Sequence, residues 1–331
     1  LNGLIDFARK LIDIDSTTGI EGAVARVLAS DLEQLGYRVT LQPLANERVN
    51  VYARIDEPVV IFSTHFDCVP AFFPSRIENG RLYGRGSSDA KGILAAQLVA
   101  AERLRARGER RVGLLFVAGE ERGSDGAMAA NTIAPASAKY LINGEPTENR
   151  LGAATRGVYR VKLTARGRAA HSSRPDLGES AIEKLLDVLQ ALRTAAWPSD
   201  PLLGDTHFNI GLINGGVAPN VIPDLATAEL LFRSVGPAED LAAVIDRTVA
   251  GRVEVAHVLT VPPVRLKTLP GFATEVFWYT TDIPFLDRWG TPLLIGPGSV
   301  TEAHTVDESV AIAELEEAAN LYERLAEGLL A

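Results

Sequence analysis

Cysteine is almost absent. Cys68 is the only one in 331 residues, which rules out an internal disulfide and fits a reducing, cytoplasmic setting. Long apolar runs are missing too. No stretch approaches the roughly 18 residues of a membrane-spanning helix, and Leu1-Asn2-Gly3-Leu4 lacks the basic and apolar regions of a secretory signal. Positive charge is scarce: 33 Lys and Arg stand against 42 Asp and Glu, a net charge of −9, with no basic run. That balance argues against nucleic acid as a partner. Internal repeats and low-complexity segments do not occur. What is there is apolar: 47% of the chain, enough for a large core. Single cores stop growing at roughly 250–300 residues, so two domains are expected.

Periodicity predicts amphipathic helices at 4–14 and 21–35, the second carrying Ala23, Val27, Leu28, Leu32 and Leu35 and stopped by Gly36. Strands are expected at 38–42, 49–55, 59–64, 111–118 and 139–143, with a buried helix over Ala90–Arg107. This alternation predicts an α/β fold with a mostly parallel sheet flanked by helices. Near residue 156 the texture changes. Val158–Arg166 alternates polar and apolar, and a helix at 179–195, strands at 206–214 and 225–233, a helix at 238–249 and a strand at 252–260 complete β-α-β-β-α-β. That is the order of an inserted α+β ferredoxin-like domain. Strand 291–295 and helix 309–329 then return to the first domain. The expected division is therefore 1–154 with 265–331, interrupted by 155–264.

Ligands of parallel sheets bind beyond the strand carboxyl ends. Metal-compatible groups gather there: His65-Phe66-Asp67, Asp89 in Gly84-Arg85-Gly86-Ser87-Ser88-Asp89, Glu120-Glu121, Gly144-Glu145-Pro146, and His304 beyond Gly296-Pro297-Gly298. Each alone has an ordinary structural explanation. His65 reads as a core histidine, Asp89 as a helix N-cap, and Glu120-Glu121 as a solvated charged loop. Residues two apart in a strand share a face, so His65 and Asp67 point the same way. Asp67 is either a carboxylate that fixes the His65 tautomer or a ligand itself, and the supporting role is preferred. Glu120 and Glu121 diverge if their strand continues. One then ligates while the other faces a water.

Together these segments resemble the ordered motifs of the co-catalytic zinc amidohydrolase and peptidase family, which includes acetylornithine deacetylase, succinyl-diaminopimelate desuccinylase, aminoacylase and glutamate carboxypeptidase. The resemblance spans nearly the whole chain. It implies a zinc exopeptidase-like catalytic domain holding two zinc ions, with cobalt or manganese as substitutes. His65 and Glu145 would hold one, Glu121 and His304 the other, and Asp89 would bridge them. Three carboxylates against two Zn²⁺ leave the site cationic, which acidifies bound water. Glu120 would take the water's proton and pass it to the leaving amine. From the inserted domain, read as lid and dimerisation domain, His171 matches a histidine that contacts the reacting carbonyl, often across a homodimer interface. Asn220 matches a substrate-contacting asparagine, and Arg233 an arginine that binds a substrate carboxylate. His207 and His257 match no motif and read as structural or exposed. The stretch between Pro262 and Thr281 is shorter than in the family, which usually carries another helix there.

The expected activity is hydrolysis of the amide bond of a small N-acyl amino acid. The Gly296-Pro297-Gly298 turn is most like the acetylornithine and acetylcitrulline deacetylase branch. A desuccinylase, or an exopeptidase acting on dipeptides, is the alternative. A binding homologue without catalysis should lack the base or a ligand, and a single-metal sensor should lack part of the set. Here all are present.

Overall fold

The computed structural model of the chain describes residues 3–331; Leu1 and Asn2, the start of the expected first domain, lie outside the described residues. Two compact units form. One takes the chain up to Ala153, Leu266–Glu275 and Thr281–Ala331; the other takes Ala154–Arg265 and Val276–Thr280. The strip Val276–Thr280, expected with the catalytic part, groups with the inserted unit. Two contacts hold it there. The Arg156 amide donates to the Phe277 carbonyl at 3.0 Å, and the Arg156 guanidinium lies 4.4 Å from the centre of the Trp278 ring.

The first unit is built on a six-stranded sheet. Its order is Arg38–Pro43, Val49–Arg54, Val112–Val117, Val60–His65, Tyr140–Asn143, Thr291–Leu294. Val49–Arg54 pairs antiparallel on both sides, while the last four strands run parallel. The fold is thus α/β with a mostly parallel sheet. Both faces are buried, and residue parity shows it. Val60, Phe62, Leu114 and Phe116 enter the large core with the helices, whereas Ile61, Leu115, Val117 and Leu141 pack beneath Trp289 and Leu286. Strands covered on both faces must read as continuous apolar runs.

Helices Leu4–Ile12 and Gly22–Gln34 each bury one stripe: Leu4, Phe7, Ala8, Leu11 and Ile12 in the first, and Val24, Ala25, Leu28, Ala29 and Leu32 in the second. Lys91–Ala106 is buried on nearly every side and packs against Ile312–Leu330. A helix apolar all round belongs in a core. The C-terminal helix begins later than expected. Ser309–Ala311 is instead a strand, paired with Arg81–Tyr83, which itself forms a hairpin with Arg76–Glu78. Asn79-Gly80, both with positive φ, makes that hairpin's turn; such a pair is its strongest local signal.

The inserted unit has a four-stranded antiparallel sheet in the order His207–Gly215, Leu225–Ser234, Gly157–Arg166, Glu254–Val261. Helices Ala181–Arg193 and Ala238–Val249 share one core with it, through Leu185, Leu189, Leu241 and Ile245 against Val161, Leu163, Leu230 and Phe232. This is the ferredoxin-like order read from the sequence. Ser180 caps the first helix by accepting from the Glu183 amide at 3.2 Å. No helix among the described residues is long and apolar enough to cross a membrane, and between 262 and 281 there are two short strands, Val264–Arg265 and Thr274–Phe277, and no helix.

Candidate metal centre

Three parallel strands end side by side, and each delivers an acid or histidine to the same end of the sheet. Val60–His65 ends on His65 itself, Val112–Val117 leads to Glu120-Glu121, and Tyr140–Asn143 leads to Glu145. Thr291–Leu294 leads into the Gly296-Pro297-Gly298 turn ahead of His304. Gly298 has φ +85°, and a Cβ there would meet the Ser88 hydroxyl at 2.2 Å. Only glycine permits that approach of the turn to the Asp89 loop.

The donors form two groups that share one member. His65, Asp89 and Glu145 lie with their ligand atoms all within 4.8 Å of one another, and so do Asp89, Glu121 and His304. Asp89 turns Oδ1 to His65 Nε2 at 2.9 Å and Oδ2 to His304 Nε2 at 3.3 Å. His304 Nε2 also lies 2.9 Å from Glu121 Oε1. The N-cap explanation of Asp89 fails, because the helix beginning at Lys91 has no side-chain cap. His65 Nδ1 faces the Asp67 carbonyl at 3.0 Å. It must donate there, which leaves the Nε2 lone pair for a ligand.

Asp67 is fully employed. Oδ1 accepts from the Glu120 amide at 3.1 Å; Oδ2 accepts from the Glu121 amide at 3.2 Å and the Thr18 hydroxyl at 2.8 Å. Its carboxylate therefore holds the backbone of the Glu120-Glu121 turn, and its Oδ1 also lies 3.4 Å from His65 Nδ1, in the supporting position beside the imidazole, although the strand itself ends at His65. Nor does the strand before Glu120 continue. Glu120–Arg122 is a 3₁₀ turn entered through Gly119 at φ +79°. A Cβ at Gly119 would strike Asp125 Oδ1 at 2.1 Å, and Asp125 is itself clamped by Arg48. The tight turn separates the two glutamates.

The electrostatics call for positive charge. Burial pushes Glu120 well above the usual carboxylate range, and the charge of Glu145 adds to it. Glu145 is raised in the same way, first by burial, and its Oε1 has no hydrogen-bond partner among the described residues. Burial works to raise Asp89, but hydrogen bonds from His304 and His65 outweigh it and hold the carboxyl well below its usual value. His304 is pushed up to about 10 by Asp89 and then Glu121. Carboxylates that keep histidines protonated have a deficit of cation around them. Each group offers one imidazole and two carboxylates with a shared bridging acid. That mixed nitrogen–oxygen set fits zinc and its divalent neighbours, and it leaves coordination positions free.

His171, Asn220 and Arg233 all lie in the inserted unit, and the backbone segments of the first two are joined. His171 pairs with Val221 in a short antiparallel ladder, and the Ser172 amide donates to the Asn220 carbonyl at 3.0 Å. His171 Nδ1 accepts from the Ser173 amide at 3.2 Å, so Nε2 carries the proton and is exposed. Arg233 sits apart on Leu225–Ser234, opposite His207 and Val158. It is half-buried, which lowers its pKa, and no ion pair engages it among the described residues. His207 accepts from Arg156 at 2.9 Å and His257 meets the Tyr159 hydroxyl at 2.5 Å, and both residues are exposed.

Two residues at the centre escaped the sequence reading. Asp282 is buried, and burial pushes it up to about 7 against the opposing charge of His65. Nothing in Thr280-Thr281-Asp282-Ile283 marks it. Glu308 is also buried, with its carboxylate turned into the Asp89 loop. An acid four residues beyond His304 was the only available signal.

The profile of Peptidase family M20/M25/M40 matches residues 61–328. A peptidase M20 domain-containing protein of Schizosaccharomyces pombe is 38% identical over 98% of this chain and 84% of its own length. A protein of Aspergillus clavatus named a probable carboxypeptidase is 34% identical over 99% of this chain and 82% of its own. Among solved structures, the aminopeptidase PepT from Bacillus cereus superposes with a TM-score of 0.84 at 20% identity, covering 99% of this chain and 98% of that one, and so shares the fold. With its donor groups gathered at one sheet end and its family profile running from the His65 strand into the last helix, the chain belongs to Peptidase family M20/M25/M40 and is a hydrolase of that family.

Proposed function

We propose that the chain hydrolyses linear amides whose amine half is an amino acid with a free carboxylate. Glu120 is the base, and two divalent cations, zinc in the first instance, are held by His65, Asp89, Glu121, Glu145 and His304. The observation that carries this reading is Glu120. It is a carboxylate raised by burial, adjacent to donor Glu121 and outside both donor groups. Two cations supply polarisation of the scissile carbonyl and acidification of the attacking water. Glu120, with its affinity for protons raised, removes a proton from that water and delivers it to the departing nitrogen. Asp67 keeps the Glu120-Glu121 turn in place while the proton moves. In the inserted unit, the exposed Nε2–H of His171 is available to donate to the developing oxyanion. Arg233 is available for the substrate carboxylate, and Asn220, tied to the His171 segment, for the bond being cut.

Relatives named carboxypeptidases favour a peptide as the acyl half. The Gly296-Pro297-Gly298 turn favours the deacetylase-like reading, in which the acyl half is a small acyl group such as acetyl. The test is a panel on zinc-loaded protein: dipeptides and tripeptides, acetylornithine, acetylcitrulline, acetyllysine and succinyl-diaminopimelate, each beside its carboxyl-amidated form. Amidation should lower kcat/KM by about 10–100-fold, the worth of a hydrogen-bonded charge pair. Arg233→Ala should raise KM by a similar factor for free carboxylates only. Equal turnover of free and amidated substrates sinks the proposal.

The same reading makes the chain a homodimer through the inserted unit, with His171 serving the partner's site. Its support is an edge strand, His207–Gly215, that exposes Leu212 and Ile213 at 56% and 54%. An unpaired apolar edge is suited to meeting its twin across a two-fold axis. Mixing His171→Ala with Glu120→Gln protein should restore activity as subunits exchange. No recovery despite proven exchange, or a fully active monomer, removes the action in trans.

A further inference from the structure

Glu308 lies at the end of the loop that begins with His304, and it is completely buried. Its Oε1 accepts from three backbone amides: Gly86 at 3.0 Å, Ser88 at 3.1 Å and Asp89 at 3.0 Å. Its Oε2 accepts from Arg85 Nη1 at 2.6 Å, and its own carbonyl accepts from the Gly84 amide at 3.1 Å. The whole Gly84–Asp89 segment is therefore wrapped around one carboxylate that comes from 219 residues away. Successive N–H groups converging on one oxygen form a nest for negative charge, and Arg85 balances the rest.

That segment has no ladder of its own to fix it. It carries Asp89, the one donor common to both groups, and Asp89 works only if its two oxygens diverge toward His65 and His304. A rotation of the Asp89 backbone would turn both oxygens at once. The loop that supplies Glu308 also supplies His304. One side chain thus sets the distance between two donor-bearing loops. From this geometry we infer that Glu308 is a positioning residue for the cation centre. Its carboxylate oxygen gathers the Gly86, Ser88 and Asp89 amides and so fixes Asp89 as the shared donor. It touches neither substrate nor cation.

The inference rests on the two-cation reading above, and the experiment separates the two. Metal-free wild type, E308A, E308D and E308Q are titrated with zinc against a chromophoric chelator. A core variant remote from the site, Leu28→Ala, serves as control for lost stability. Wild type should bind two zinc ions; if it binds none, the two-cation reading fails first. E308A should bind 10–100-fold more weakly, as loss of a group behind the ligands typically does. E308D, a methylene too short to reach the amides, should follow it and serves if E308A does not fold. E308Q keeps an oxygen for the three amides but sets an N–H₂ against Arg85 Nη1 in place of Oε2, so it should bind more tightly than E308A while staying weaker than wild type. Leu28→Ala should lose stability but not zinc affinity. Wild-type affinity in E308A or E308D, E308Q as weak as E308A, or a loss of affinity in Leu28→Ala that matches its loss of stability, overturns the inference.

Discussion

Glu120→Gln should abolish most turnover while leaving the fold and both bound cations intact. The amide is nearly isosteric with the carboxylate, so the 3₁₀ turn that carries it has no reason to change. That turn is held through backbone groups, the Glu120 and Glu121 amides on Asp67, and these do not depend on the side chain. Glu120 belongs to neither donor group, so cation content should remain at two per chain. What is lost is proton transfer. Burial raises the Glu120 carboxyl well above the usual carboxylate range, which strengthens it as a base. An amide is no such base. The expected fall in kcat is about 10²–10⁴-fold. Elemental analysis and steady-state rates on the same preparation decide it. A rate within about tenfold of wild type, with full cation content, would falsify the assignment of Glu120 as base.

The second large effect is expected at Asp89, for a different reason. Asp89→Ala removes a donor from both groups at once, leaving His65 with Glu145 and Glu121 with His304. Two protein donors are one fewer than catalytic zinc centres commonly use. The substitution also removes the largest influence on His304, whose pKa Asp89 holds up to about 10. Asp89→Ala should therefore retain at most one cation and lose more activity than Glu120→Gln, since the carbonyl loses its polarisation along with the water. The discriminating measurement is cation content rather than rate. Wild type and Glu120→Gln should hold two, and Asp89→Ala fewer. Two tightly held cations in Asp89→Ala would show that the groups are independent and that Asp89 does not join them.

Together these variants separate holding from reacting, two roles that adjacent residues of one charge otherwise blur. Glu121 and Glu120 are neighbours in the chain. Only the turn at Gly119 sends one toward His304 and leaves the other as the spare acid.

The sequence by itself determined the chemistry's raw material and its address. Apolar runs ending in His65, in Glu120-Glu121 and near Glu145 follow from parallel strands buried on both faces, and a polar group can emerge only where such a strand ends. The change to alternating residues at Val158–Arg166 likewise told of a sheet covered on one side, and so of a second unit. These are short-range signals, with periods of two and 3.6 residues. Tertiary structure decided everything that depends on long-range closure. His65 meets Asp89 across 24 residues, His304 meets Glu121 across 183, and Glu308 meets the Asp89 amide across 219. Local pattern carries no information about such pairs. It could not choose between ligand and support for Asp67, because the choice lies in the Glu120, Glu121 and Thr18 groups that occupy its oxygens. Nor could it find Asp282, a lone acid in an irregular segment, whose importance comes only from being buried beside other carboxylates. The placement of Val276–Thr280 was decided in the same way, by Arg156 reaching across more than a hundred residues to Phe277 and Trp278.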